Sequence, residues 1–131
     1  MAWLDREKSG KEILIGSSSA HEAEALGQLL SQEGYQIDLA IRPFQAMEKL
    51  MTTHFKAAIL MLQTDDRSWI EFIPIFNSLL PHLPIIIVAD TDSLETERLA
   101  RRGRIFYYLL KPVDMMEITA VLRDASEKAG V

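Results

Sequence analysis

Five short apolar runs alternate along the chain with five segments of helical periodicity. The runs are Ile13-Leu14-Ile15, Ile37 to Ile41, Ala57 to Leu62, Ile85 to Val88 and Ile105 to Leu110. Four of them lack polar alternation, the pattern of strands covered on both faces. The second alternates through Asp38 and suits an edge position. Between the runs, helix starts are marked. Ser19-Ala20-His21-Glu22 reads as a capping box, in which the serine oxygen accepts from the glutamate amide and the glutamate reaches back. Ala23, Leu26, Leu29 and Leu30 follow at helical spacing, and Gly34 can end the helix in a left-handed conformation. Pro43 suits a first helical turn, with Phe44, Met47, Leu50 and Met51 behind it. Ser68 to Glu71 reads as a second capping box, and Pro74 predicts either a kink in that helix or a later start. Asp92 to Glu95 opens a weakly amphipathic fourth helix that ends near Gly103. Asp114 to Glu117 opens a fifth, with Ile118, Val121, Leu122 and Ala125 on one face.

Strand–helix alternation repeated five times implies a parallel sheet with helices on both faces. Right-handed crossovers leave few topologies. For this size the expected α/β fold is the flavodoxin-like (βα)5 doubly wound sheet, strand order 2-1-3-4-5. The 131 residues fit one domain, 1–131, with a core over about 11–126 and frayed ends.

Composition narrows the function classes. A hydrophobic fraction of 48% supports a full core. No apolar stretch approaches the roughly 20 residues that span a bilayer, and the charged start at Met1 to Lys8 reads as a cytoplasmic leader, with no membrane partner. The absence of cysteine excludes disulfides and thiolate metal sites. A net charge of -5 argues against direct nucleic-acid binding. The basic cluster Arg98, Arg101, Arg102 and Arg104 reads as a solvated helix end.

The lysine-proline pair in Tyr107-Tyr108-Leu109-Leu110-Lys111-Pro112-Val113-Asp114 changes the picture. It places one ammonium at the carboxyl end of a strand, where parallel sheets bind ligands. With Gly34-Tyr35-Gln36-Ile37, Phe44 to Leu50 and Pro84 to Val88 in the same order and spacing, the chain resembles the receiver domain of two-component response regulators over roughly residues 11–126. The resemblance implies a chemotaxis-regulator-like fold in phosphorelay signal transduction. Receivers carry two adjacent acids after the first strand to hold Mg²⁺; here Ser17 and Ser18 stand there. They end the third strand with the aspartate that accepts phosphate; an alignment without gaps puts Met61 there. They end the fourth strand with Thr or Ser; here it is Ala89, followed by Asp90. Lys111 and its proline match, the bond before Pro112 is expected to be cis, and Tyr108 falls at the receivers' switch aromatic. A thioether cannot attack phosphorus, and serines without carboxylates are poor Mg²⁺ ligands. The expectation is a degenerate pseudo-receiver that is not an enzyme, holds no metal or cofactor, and works by protein–protein contact. The fourth helix, fifth strand and fifth helix form the face that receivers use for a partner, an output domain or a homodimer.

Other constellations have plainer readings beside functional ones. Gly16-Ser17-Ser18-Ser19 is either an anion-binding loop before a helix or a polar turn whose Ser19 is the cap. Asp65 and Asp66 are either displaced acids, giving a phosphoacceptor at a new position, or parts of a hydrophilic loop. His21, His54 and His82 show no metal spacing and read as surface residues. Trp3 reads as a loose hydrophobe in the leader. Because an unpaired buried ammonium is costly, Lys111 is expected to reach solvent or to pair with Asp65, Asp66 or Asp90.

Overall fold

A computed structural model describes residues 12–63, 67–90 and 94–129. Its elements run β1 (Glu12–Ser17), α1 (Ala20–Gln32), β2 (Gln36–Ala40), α2 (Pro43–Thr52), β3 (Ala57–Leu62), α3 (Ser68–Leu79), β4 (Ile85–Ala89), α4 (Leu94–Ala100), β5 (Tyr107–Leu110) and α5 (Met115–Ala129). The five strands form one parallel sheet in the order β2-β1-β3-β4-β5, the doubly wound order expected from the alternation. Successive side chains on a strand point to opposite faces, so each inner strand supplies two cores. Ile13, Ile15, Ile59 and Val88 meet Leu26 and Leu30 of α1 and Ile118 and Leu122 of α5. Leu14, Leu60 and Ile87 meet Leu50 of α2 and Trp69, Ile73 and Phe76 of α3. That double burial is why the β1, β3 and β4 runs carry no polar alternation; the fifth run, expected to be covered on both faces, is instead an edge strand with Tyr107 and Leu110 exposed. β2 lies at an edge, and its Asp38 pairs with Lys49 of α2 at 2.9 Å.

The helix ends show which local signals decide the chain. Gly34 takes φ 95°, and the Tyr35 amide donates to the Leu30 carbonyl at 3.2 Å, closing α1 as glycine permits. Asp114 caps α5 by accepting from Met116 and Glu117 amides at 2.9 and 3.4 Å. Pro43 sits in the first turn of α2. The second capping box fails: the cap of α3 is Arg67, with no side-chain cap bond, and Ser68 is already helical. The helix then runs through Pro74 to Leu79 without a later start. α4 ends at Ala100, short of the expected end near Gly103, and Asp92, the expected start, lies outside the described residues. No helix among the described residues is long and apolar enough to cross a membrane.

Candidate functional site

The C-terminal ends of the strands line up along one edge, where open parallel sheets place their ligands. The ladder sets Ser17 beside Met61, Met61 beside Val88, and Ala89 beside Leu110. Lys111 follows, its amide donating to the Ala89 carbonyl at 2.9 Å, and the Lys111–Pro112 bond is cis. Ser17, Met61, Ala89 and Lys111 therefore share one edge.

Each polar side chain at this edge has an internal partner. Ser17 is fully buried, and its hydroxyl accepts from the Ser19 amide at 3.0 Å. Ser18 accepts from the Trp69 indole N–H at 3.2 Å. Trp69 is itself fully buried. Its ring lies so close to Gly16 that a Cβ there would sit 2.6 Å from two ring carbons. Met61 is 4% exposed and belongs to the apolar core under α1 and α5.

Lys111 meets a carboxylate that sequence reasoning assigned elsewhere. Its side chain is 14% exposed, and its Nζ lies 2.5 Å from Glu22 Oε1 and 3.6 Å from Asp90 Oδ1. These contacts are ionic, not angularly ideal hydrogen bonds. The expected partner Asp90 is thus the more distant one, and Asp65 and Asp66 lie outside the described residues. The reason is the first turn of α1. Ser19 caps the helix, accepting from the Glu22 amide at 3.3 Å, but the reciprocal half of the box is absent. Ser17 takes the Ser19 amide instead. That frees the Glu22 side chain to reach Lys111 and the Gln63 amide, which donates to its Oε2 at 2.7 Å. Burial, the largest single effect on Glu22, raises its pKa. The close Lys111 contact, the Gln63 hydrogen bond and the Lys111 charge together outweigh it and hold the carboxyl below its ordinary value. The signal that could have found Glu22 is the demand of an enclosed ammonium for an acid, searched on every loop at the same sheet edge and not only at motif positions.

The remaining candidates divide. Tyr108 is half-buried, with the Arg101 guanidinium 5.9 Å from its ring centroid, within cation–π range. Tyr107 faces the other way, its hydroxyl donating to Glu117 at 3.4 Å. Arg104 is a joint and not a free charge: its backbone and side chain bond Asn77 and the Pro81 carbonyl. His21 is exposed. His54 and His82, far apart in sequence, line one cavity of about 430 Å³ between the ends of α2 and α3. Among the described residues no three His, Cys, Asp or Glu are grouped to hold a metal. The donors at the β1 and β3 ends, two committed hydroxyls and a thioether, do not fit Mg²⁺.

A doubly wound sheet of this order, with an enclosed lysine directly after its last strand, is the architecture of a receiver-type signalling fold. The chain belongs to the response regulator receiver domain family, whose pattern matches residues 13–123. It is 25% identical over 114 residues to the transcriptional regulatory protein ZraR of Klebsiella oxytoca, covering 87% of this chain and 26% of that protein. It is 26% identical to ZraR of Escherichia coli K12 over the same length, again 26% of that protein. The chain thus spans about a quarter of these relatives. Among solved structures it is similar to a receiver domain of an HD domain-containing protein from Pseudomonas fluorescens Pf-5. That match has 26% identity and a TM-score of 0.82, covering 91% of this chain and 96% of that one. A CheY-like receiver from Methanospirillum hungatei JF-1 gives 22% and 0.82, with 92% and 96% covered. The beryllofluoride-activated NtrC4 receiver domain dimer gives 22% and 0.80, with 91% and 98% covered.

Proposed function

We propose that this receiver-family domain is a non-catalytic signalling module that has lost aspartyl phosphorylation and acts through protein–protein contact in the cytoplasm. The observation that carries the reading is the state of the vacated positions. Ser17, Ser18 and Met61 supply no carboxylate, and each is tied into the fold by a hydrogen bond or by core packing. Phosphoryl transfer to a side chain needs a nucleophile and, for the developing anion, a metal counter-charge; Ser17, Ser18 and Met61 supply neither a carboxylate nucleophile nor a Mg²⁺ cage. Ala89 adds no hydroxyl to hold a phosphoryl oxygen.

What the fold keeps is a surface. On α4, β5 and α5, Tyr107, Leu110 and Met116 are exposed, Met116 by 84%. These exposed apolar groups, with Arg98 and Arg101 also exposed on the preceding stretch, suit contact with another protein: a partner, an output domain or a second copy of this chain. A similar receiver, that of NtrC4, is described as a dimer. The net charge of -5 disfavours direct nucleic-acid contact by this domain.

The test is incubation with acetyl phosphate and Mg²⁺ followed by intact-mass measurement. The mass should not change. An acid-labile adduct on Asp65 or Asp66 would replace this reading with a displaced phosphoacceptor.

A further inference from the structure

Lys111, Gln63 and Glu22 come together from three separate segments: the end of β5, the end of β3 and the first turn of α1. An ammonium and an amide N–H face one carboxylate, the ammonium in ionic contact with one oxygen and the amide donating to the other. The two donors form an oxyanion-binding pair. We infer that Glu22 is a resident anion: a tethered carboxylate that fills the oxyanion site of Lys111 and Gln63 and closes it to phosphate from solution. The inference rests on the reading of this edge as a vacated phosphorylation site, and it assigns what now occupies that site.

Three observations favour this over an incidental surface pair. The ammonium is nearly enclosed, at 14% exposure, so losing its partner is costly. Both Glu22 oxygens are used, one by Lys111 and one by Gln63, as a bidentate ligand would be. Nothing in the helix cap requires the carboxylate, because Ser19 bonds the Glu22 backbone amide and Ser17 bonds the Ser19 amide. A ligand carried on the same chain competes at a high effective concentration, so a weakly binding free anion is displaced. Asp90, 3.6 Å from the ammonium, adds a second negative charge against any incoming anion.

The experiment uses the full chain and inorganic phosphate, titrated at constant ionic strength and followed by backbone amide NMR. The variants are Glu22→Ala, which vacates the point but keeps the backbone cap, and Glu24→Ala. Glu24 is exposed on the same helix, so its removal makes the same change in net charge without touching Lys111. Glu22→Ala should show saturable shifts at Gln63 and Lys111, with phosphate bound about tenfold or more tighter than by the parent. Glu24→Ala should behave as the parent, and Glu22→Ala combined with Lys111→Met should lose the gain. No gain in Glu22→Ala, an equal gain in Glu24→Ala, or a gain that survives loss of Lys111 overturns the inference. Should Glu22→Ala fail to fold, amine acylation of the parent decides. Lys111 should react more slowly than Lys49, whose side chain is 30% exposed, and equal reactivity overturns the inference. Free phosphate binding needs no nucleophile. The inference can therefore fail while the mass test with acetyl phosphate still supports lost phosphorylation, and the reverse also holds.

Discussion

Glu22 sets the charge balance at the C-terminal edge of the sheet. Its carboxyl is held below its ordinary pKa in the folded chain by the Lys111 and Gln63 contacts, against the upward push of burial. A depressed folded pKa favours the native state above the unfolded value, and that contribution is lost as pH falls through the folded one. Glu22→Gln should therefore cost about 1–2 kcal/mol at neutral pH, where an enclosed ammonium loses its counter-charge. The cost should shrink as pH drops from the unfolded value of about 4.3 through the lower folded one. Urea unfolding of parent and variant across that range measures it; a gap independent of pH contradicts the assignment. The sequence showed Lys111 and its strand end, but not this partner. A glutamate three residues after a serine satisfies a helix-start pattern completely, and only the third dimension reveals that Ser17 has taken over half of the box.

Among the elements, the contact of α3 with β1 turns on one glycine. A Cβ on Gly16 would meet the Trp69 ring at 2.6 Å and Leu60 Cδ2 at 3.1 Å, and neither fully buried side chain has space to retreat. Gly16→Ala should destabilise by about 1–3 kcal/mol through overpacking. The clashing ring carbons belong to the outer ring of the indole, so a Trp69→Phe background should relieve most of that cost. A double-mutant cycle by denaturant unfolding reads the coupling, and strictly additive effects would contradict the packing. Elements were legible where period and cap agreed. The three covered strands β1, β3 and β4, the glycine end of α1 and the Asp114 cap follow from residue type alone, whereas the apolar run of β5 hides its edge position. α3 was misread because Ser68 to Glu71 has the spacing of a capping box without its geometry, Arg67 holding the cap position. The end of α4 is not legible in the sequence, because the helix buries only Ala100 and has almost no apolar face to mark where it stops.

For the molecule as a whole, topology was readable because alternation and right-handed crossovers leave few alternatives. The two cores followed from strands buried on both faces. The cavity that joins His54 and His82 was not readable, since the fold alone brings the ends of α2 and α3 together. Three positions at one sheet edge, Ser17, Ser18 and Met61, stand where a phosphorylation site would need carboxylates. The variant Ser17→Asp, Ser18→Asp, Met61→Asp rebuilds three carboxylates there. Without metal they repel, each close pair costing on the order of a few kcal/mol at an effective dielectric near 20. A cation that binds only the native state recovers stability by mass action. The direct measurement is the melting temperature of parent and triple variant with and without millimolar Mg²⁺. The triple variant should melt below the parent in metal-free buffer and rise with Mg²⁺, while the parent should not respond. Mg²⁺ raising both equally, or neither, would show that these three positions are not the vacated site.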